Sequence, residues 1–131
     1  MMDINLIPGI SGTLEKTVER PDLATAYGSG TVEVFATPAL VALMERTAMN
    51  SVQQLLPDGY TTVGAEVNVR HLKATPLGTK VTCQSFLTGV ENRKLIFEVT
   101  AVDAKEKIGS GTHTRFIVEK KLFLEKLEQS V

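Results

Sequence analysis

Thr37-Pro38 opens a long helical stretch, Pro57-Asp58-Gly59 closes it, and four strand-like runs with short links follow. This order limits the possible folds more than any other feature. Threonine suits the capping of a free backbone N–H and proline suits the first helical position, so the helix is expected from Thr37 to about Leu56. At about 100° per residue, Leu40, Val41, Met44, Ala48, Ser51, Val52 and Leu55 form one apolar stripe, with Arg46, Asn50 and Gln53 opposite. The strands are expected at Thr62 to Leu72, Lys80 to Val90, Leu95 to Asp103 and Lys107 to Glu119. Their short connections imply antiparallel neighbours. An earlier strand is expected at Thr13 to Val18, ended by Pro21, with Gly28-Ser29-Gly30 as a loop and a short terminal helix at Leu122 to Gln129. The fold class is therefore α+β: the sheet's apolar face needs the helix's apolar stripe, and a sheet wrapped around a central helix satisfies both.

A chain of 131 residues has room for one domain, taken as 1–131. Fourteen basic and fifteen acidic residues give a formal charge of -1, so no global positive field exists to gather nucleic acid or an anionic membrane. Met1 to Ile10 has neither a basic leader pattern nor a long apolar stretch; the expectation is a cytoplasmic protein without a membrane span. Cys83 has no Cys-x-x-Cys or His-x-x-x-His companion and reads as a buried, inert thiol. No metal-ligand spacing appears, and Gly109-Ser110-Gly111 inside a strand is only a fragment of a dinucleotide fingerprint in the wrong context.

Three polar residues stand out against this apolar framework. Glu45 falls at the edge of the helix stripe, near Val41, Ala48 and Val52, where a carboxylate is costly without a partner. It can reach solvent from the edge, pair with an arginine, or meet a histidine from the sheet. His71 ends a period-2 face of Val63, Ala65, Val67 and Val69, so its ring should point toward the helix, either as a satisfied strand-end histidine or as an acid/base group tuned by Glu45. Thr37 is accounted for as a helix cap, yet it also stands where free N–H groups and partial positive charge can polarise a carbonyl. Thr37 and Glu45 are separated by roughly 12 Å of helix rise, so a substrate, or His71 from the sheet or from a partner subunit, must join them.

The string from Val34 to Glu45, then Gly64, then Val69-Arg70-His71-Leu72-Lys73-Ala74-Thr75-Pro76-Leu77-Gly78 and Ile108-Gly109-Ser110-Gly111-Thr112-His113, resembles the fluoroacetyl-CoA thioesterase-like family of hot dog proteins. The resemblance runs over roughly residues 13 to 119. It implies a hot dog fold, an acyl-CoA thioester as substrate, no cofactor beyond the coenzyme A of that substrate, and a homodimer or higher even oligomer with sites at the subunit interface. Position by position, it implies that Thr37, Glu45 and His71 form the catalytic triad, that the Gly64 N–H lines the acyl site, and that Arg115 lies near the acyl group. Simple alternation sets Arg115 opposite Phe116, so that last placement calls for a bulge near Gly109 or Gly111, or an interface position. One departure is clear. Where the fluoroacetyl-specific member carries an aromatic lid, this chain has Tyr27-Gly28-Ser29-Gly30-Thr31.

The expected function is hydrolysis of a small or medium acyl-CoA to free acid and coenzyme A. A non-catalytic acyl-CoA binding module on the same fold is the alternative, since fold alone does not fix activity. A hot dog dehydratase is a third reading, for which no acid/base motif is present.

Overall fold

The computed structural model describes residues 4–130, so the expectation drawn from Met1 to Ile10 falls partly outside the described residues. The chain forms β1 (Ser11–Thr17), a 3-10 turn (Arg20–Asp22), α1 (Ala24–Tyr27), α2 (Thr37–Gln53), β2 (Tyr60–His71), β3 (Lys80–Glu91), β4 (Lys94–Val102), β5 (Lys107–Glu119) and α3 (Lys120–Gln129). All five strands make one antiparallel sheet in the order β1-β3-β4-β5-β2. The sheet wraps α2, which contacts every strand. This is the expected α+β arrangement. Among the described residues, no helix is long and apolar enough to cross a membrane.

The core lies between α2 and the concave face of the sheet. Leu40, Leu43, Met44, Ala48 and Val52 pack against Val81, Cys83, Leu87, Leu95, Phe97, Val99 and Ile117. Burial pushes the Cys83 thiol pKa up, in keeping with an inert side chain. The buried arc of α2 also takes in Ala39 and Thr47, because the curved sheet covers more of the helix than one flat layer would. Leu55, expected in the stripe, is exposed, since the helix ends at Gln53 and the chain has turned away.

Three further differences bear on the site. Thr37 is the first helical residue, not the cap; Ala36 takes the extended cap position, and its side chain makes no capping hydrogen bond. Before it, Ala24–Tyr27 forms α1, a short helix that was not expected, and Gly28, the first residue of the expected Gly28-Ser29-Gly30 loop, closes it in the left-handed region at φ 72°. Most consequential is β2, whose register against β5 shifts between Gly64 and Glu66. Ala65 is the extra residue, so the expected continuous face breaks. Val63 pairs with Phe116 on the outer surface, whereas Val67, Val69 and His71 line up with His113, Gly111 and Gly109 on the helix side.

Candidate active site

The residues singled out from the sequence gather in two groups along α2. The first is at its start. Thr37 Oγ1 lies 2.9 Å from His71 Nδ1, joining α2 to the end of β2. Gly109 stands opposite His71 on β5, and a Cβ there would come within 2.8 Å of Leu40 and 3.4 Å of Met44, so glycine lets this end of the sheet lie close to the helix. The Phe35 ring meets the imidazole edge-on, with centroids 6.3 Å apart. Burial lowers the His71 pKa, so the ring is neutral at neutral pH and able to accept a proton. Its Nε2 is buried with no hydrogen-bond partner among the described residues.

A cleft of about 320 Å³ opens here, lined by Ala24, Ser29, Phe35, Thr37, His71 and Lys73 among others. Lys73 at its rim is held by Asp103 at 2.7 Å and Glu106 at 3.5 Å, so its charge is already engaged. The start of α2 turns its free N–H groups and partial positive charge toward this end of the molecule.

The second group lies two turns along. Glu45, half-buried, places Oε2 3.7 Å from Nη1 of Arg115, whose side chain is almost wholly buried. Gly64 lies directly beneath: a Cβ there would come within 2.6 Å of Glu45 Oε2. Arg115 donates from Nε to Thr62 Oγ1 at 2.8 Å and from Nη2 to the Thr62 carbonyl at 3.0 Å. Nη1 is 3.2 Å from His113 Nε2. Burial lowers the Arg115 pKa and the Glu45 charge raises it, but a guanidinium stays protonated in either case.

Glu45 therefore finds an arginine. No hydrogen bond or ion pair joins it to His71 among the described residues. The bulge expected near Gly109 is present, with Ile108 as an extra residue of β5 against β4, but it is not what brings Arg115 inside: alternation from Gly109 to Ile117 is unbroken, and Phe116 is the residue that faces out. Thr62 and His113 were not anticipated as site residues. Both lie two positions from an expected one, Gly64 and Arg115, and period 2 alone would have put each on its neighbour's face. Among the described residues no cluster of three or more His, Cys, Asp or Glu side chains is arranged to hold a metal ion.

The sequence pattern of the fluoroacetyl-CoA-specific thioesterase family matches residues 18–121. The fluoroacetyl-CoA thioesterase of Streptantibioticus cattleyicolor is 39% identical over 97 residues, covering 74% of this chain and 70% of that protein. A solved structure of the fluoroacetyl-CoA thioesterase FlK superposes with a TM-score of 0.89 at 32% identity, covering 97% of this chain and 98% of that one. A hot-dog-like protein from Thermanaerovibrio acidaminovorans, at 24% identity and a TM-score of 0.87 over 94% of this chain and 91% of its own, shares the fold. The chain belongs to the fluoroacetyl-CoA-specific thioesterase family, which places it among the thioester hydrolases of the hot dog fold.

Proposed function

We propose that the protein hydrolyses a small or medium acyl-CoA to the free acid and coenzyme A, at a site that Thr37, Glu45 and His71 complete across a dimer interface. The Thr37–His71 hydrogen bond at the mouth of the cleft is the observation that carries this reading. A neutral imidazole against a hydroxyl at a helix start is equipped to take a proton while the helix stabilises an oxyanion. On one route the Thr37 hydroxyl adds to the thioester carbonyl as His71 takes its proton. The thiolate then leaves with that proton, and water cleaves the resulting ester. On the other, His71 activates water directly and Thr37 orients it. Rapid-quench trapping of a labelled acyl-protein separates the two.

Support for a dimer comes from β2. It is an edge strand of twelve residues whose middle, Gly64 to Asn68, is exposed, and an unpaired edge of that length invites a second strand. A two-fold antiparallel pairing of two β2 edges brings the His71 end of one strand toward the Gly64 end of the other. The helix-start group of one subunit then adjoins the Glu45–Arg115 group of its partner.

Thiol release from a panel of acyl-CoAs tests the activity. Turnover that is lost in His71→Ala supports the reading; tight binding without turnover anywhere would instead leave an acyl-CoA binding module.

A further inference from the structure

The Arg115 side chain is held in a fixed pose by a buried histidine whose two ring nitrogens are both engaged. His113 is 1% exposed and its ring stacks on Phe97, with centroids 6.4 Å apart and planes 30° from parallel. Its Nδ1 is 2.8 Å from the carbonyl oxygen of Glu66. A carbonyl only accepts, so Nδ1 carries the hydrogen. In the neutral ring, Nε2 is then a bare acceptor, and it faces Arg115 Nη1 at 3.2 Å. Burial above all keeps the imidazole pKa low, and the adjacent guanidinium acts in the same direction, against the Glu66 bond and the Glu45 charge, which raise it. Were packing its only role, a leucine would fill the space without burying two polar nitrogens.

Resting on the reading of Glu45 and Arg115 as part of the thioesterase site, we propose that His113 is a positioning residue. It transmits the β2 bulge to the Arg115 guanidinium and through it to the Glu45 carboxylate. The chain of contacts is continuous. Ala65, as the extra residue of β2, sets where the Glu66 carbonyl points. That carbonyl fixes which His113 nitrogen is the acceptor, and the acceptor fixes Nη1. Thr62, ahead of the bulge, holds the other side of the guanidinium through Nε and Nη2. Nη1 is thereby left aimed at Glu45 Oε2 and at the space above Gly64.

A double-mutant cycle on the full-length protein tests this. His113→Leu should lower kcat by about tenfold with KM within about threefold, since a displaced catalytic group costs rate more than binding. In an Arg115→Met background the same substitution should add no further loss, because the group it positions is gone. An equal loss in both backgrounds would make His113 a structural residue and overturn the proposal. An Arg115→Met enzyme with wild-type turnover would overturn it too, while leaving the Thr37–His71 reading to be judged by His71→Ala. Should the leucine variant not fold, His113→Gln and His113→Asn decide. Glutamine can present an acceptor near the Nε2 position and asparagine cannot, so glutamine should retain several-fold more kcat; equal rates would refute the positioning role.

Discussion

Thr37 Oγ1 and His71 Nδ1, 2.9 Å apart, join the first residue of α2 to the last residue of β2. The contact is possible because Ala36, not Thr37, occupies the cap position, which leaves the Thr37 hydroxyl free of the helix backbone. Replacing His71 with alanine should lower turnover by about 10²-fold or more, the usual scale for loss of a general acid/base. Thr37→Val keeps shape and removes the hydroxyl, so it should fall comparably, whereas Thr37→Ser should keep most of the activity. Steady-state thiol release reads all three; a valine variant as fast as wild type would remove Thr37 from the chemistry.

The pH profile follows from the same ring. Burial lowers the His71 pKa, so the acid limb of kcat/KM should lie below the ordinary imidazole value of about 6.5. Stability moves in the same sense. His71 and His113 both have lowered folded-state values, so the unfolded chain binds more protons as pH falls from about 6.5 through those values. Their contribution to stability is present above that window and is lost within it. Urea midpoints should therefore decline on acidification, and His71→Gln should diminish the decline; an unchanged slope would contradict the assignment.

Much of this was legible in the sequence, and what was not has a common physical cause. The start of α2 and the extents of β2 to β5 followed from proline, glycine and period 2, all of them local signals. The partner of Glu45 was not local. It depends on β2 lying beside β5, and that pairing brings Gly64 opposite Arg115. The bulge at Ala65 left no local mark either, yet it decides which side of β2 faces the helix on each side of it. Thr37 and His71 were identified one by one; their mutual bond required the β2 register.

Subunit complementation tests the shared site. If the Thr37–His71 pair of one chain works with Glu45 of the other, a heterodimer of a Thr37→Val chain and a Glu45→Gln chain contains one intact site. Mixing the two nearly inactive variants under exchanging conditions should restore about a quarter of the wild-type rate per chain, from half the dimers each holding one intact site of two. A site contained within one chain predicts no recovery. Sedimentation of a monomer at micromolar concentration would remove the interface altogether.

Two glycines should separate catalysis from folding. At Gly64 an added Cβ meets the far end of the Glu45 side chain, which can swing away, so Gly64→Ala should fold normally but displace the carboxylate and slow turnover. At Gly111 the same atom lands on the backbone carbonyl of Asn68 on β2, which cannot yield without moving the strand. Gly111→Ala should cost about 1–3 kcal/mol of stability, as overpacking does, and lower the Tm by several degrees. Thermal melts and thiol-release assays run side by side check both; equal melting losses would mean that Glu45 is held more rigidly than its half-exposed setting implies.

Selectivity is expected to be broad, and the reason lies at the entrance to the cleft. The segment ahead of α2 contributes Ala24 and Ser29 to the lining, while Gly28 adopts φ 72° and closes α1. Tyr27 is 48% exposed, and Phe35, the aromatic residue beside His71, is buried in the core. Gly28, Ser29 and Gly30 therefore offer no large apolar side chain to fold over a two-carbon acyl group. Without such a cover, fluoroacetyl and acetyl thioesters differ mainly in how one substituent fits, and such differences are typically worth only about 1–3 kcal/mol. The protein should therefore turn over ordinary short or medium acyl-CoAs, with little preference for the fluorinated substrate. The measurement is kcat/KM for fluoroacetyl-CoA against acetyl-CoA and longer homologues. A fluorinated preference above roughly a thousandfold, beyond what pocket fit supplies, would show that Tyr27 or another side chain closes over the acyl group after substrate binds.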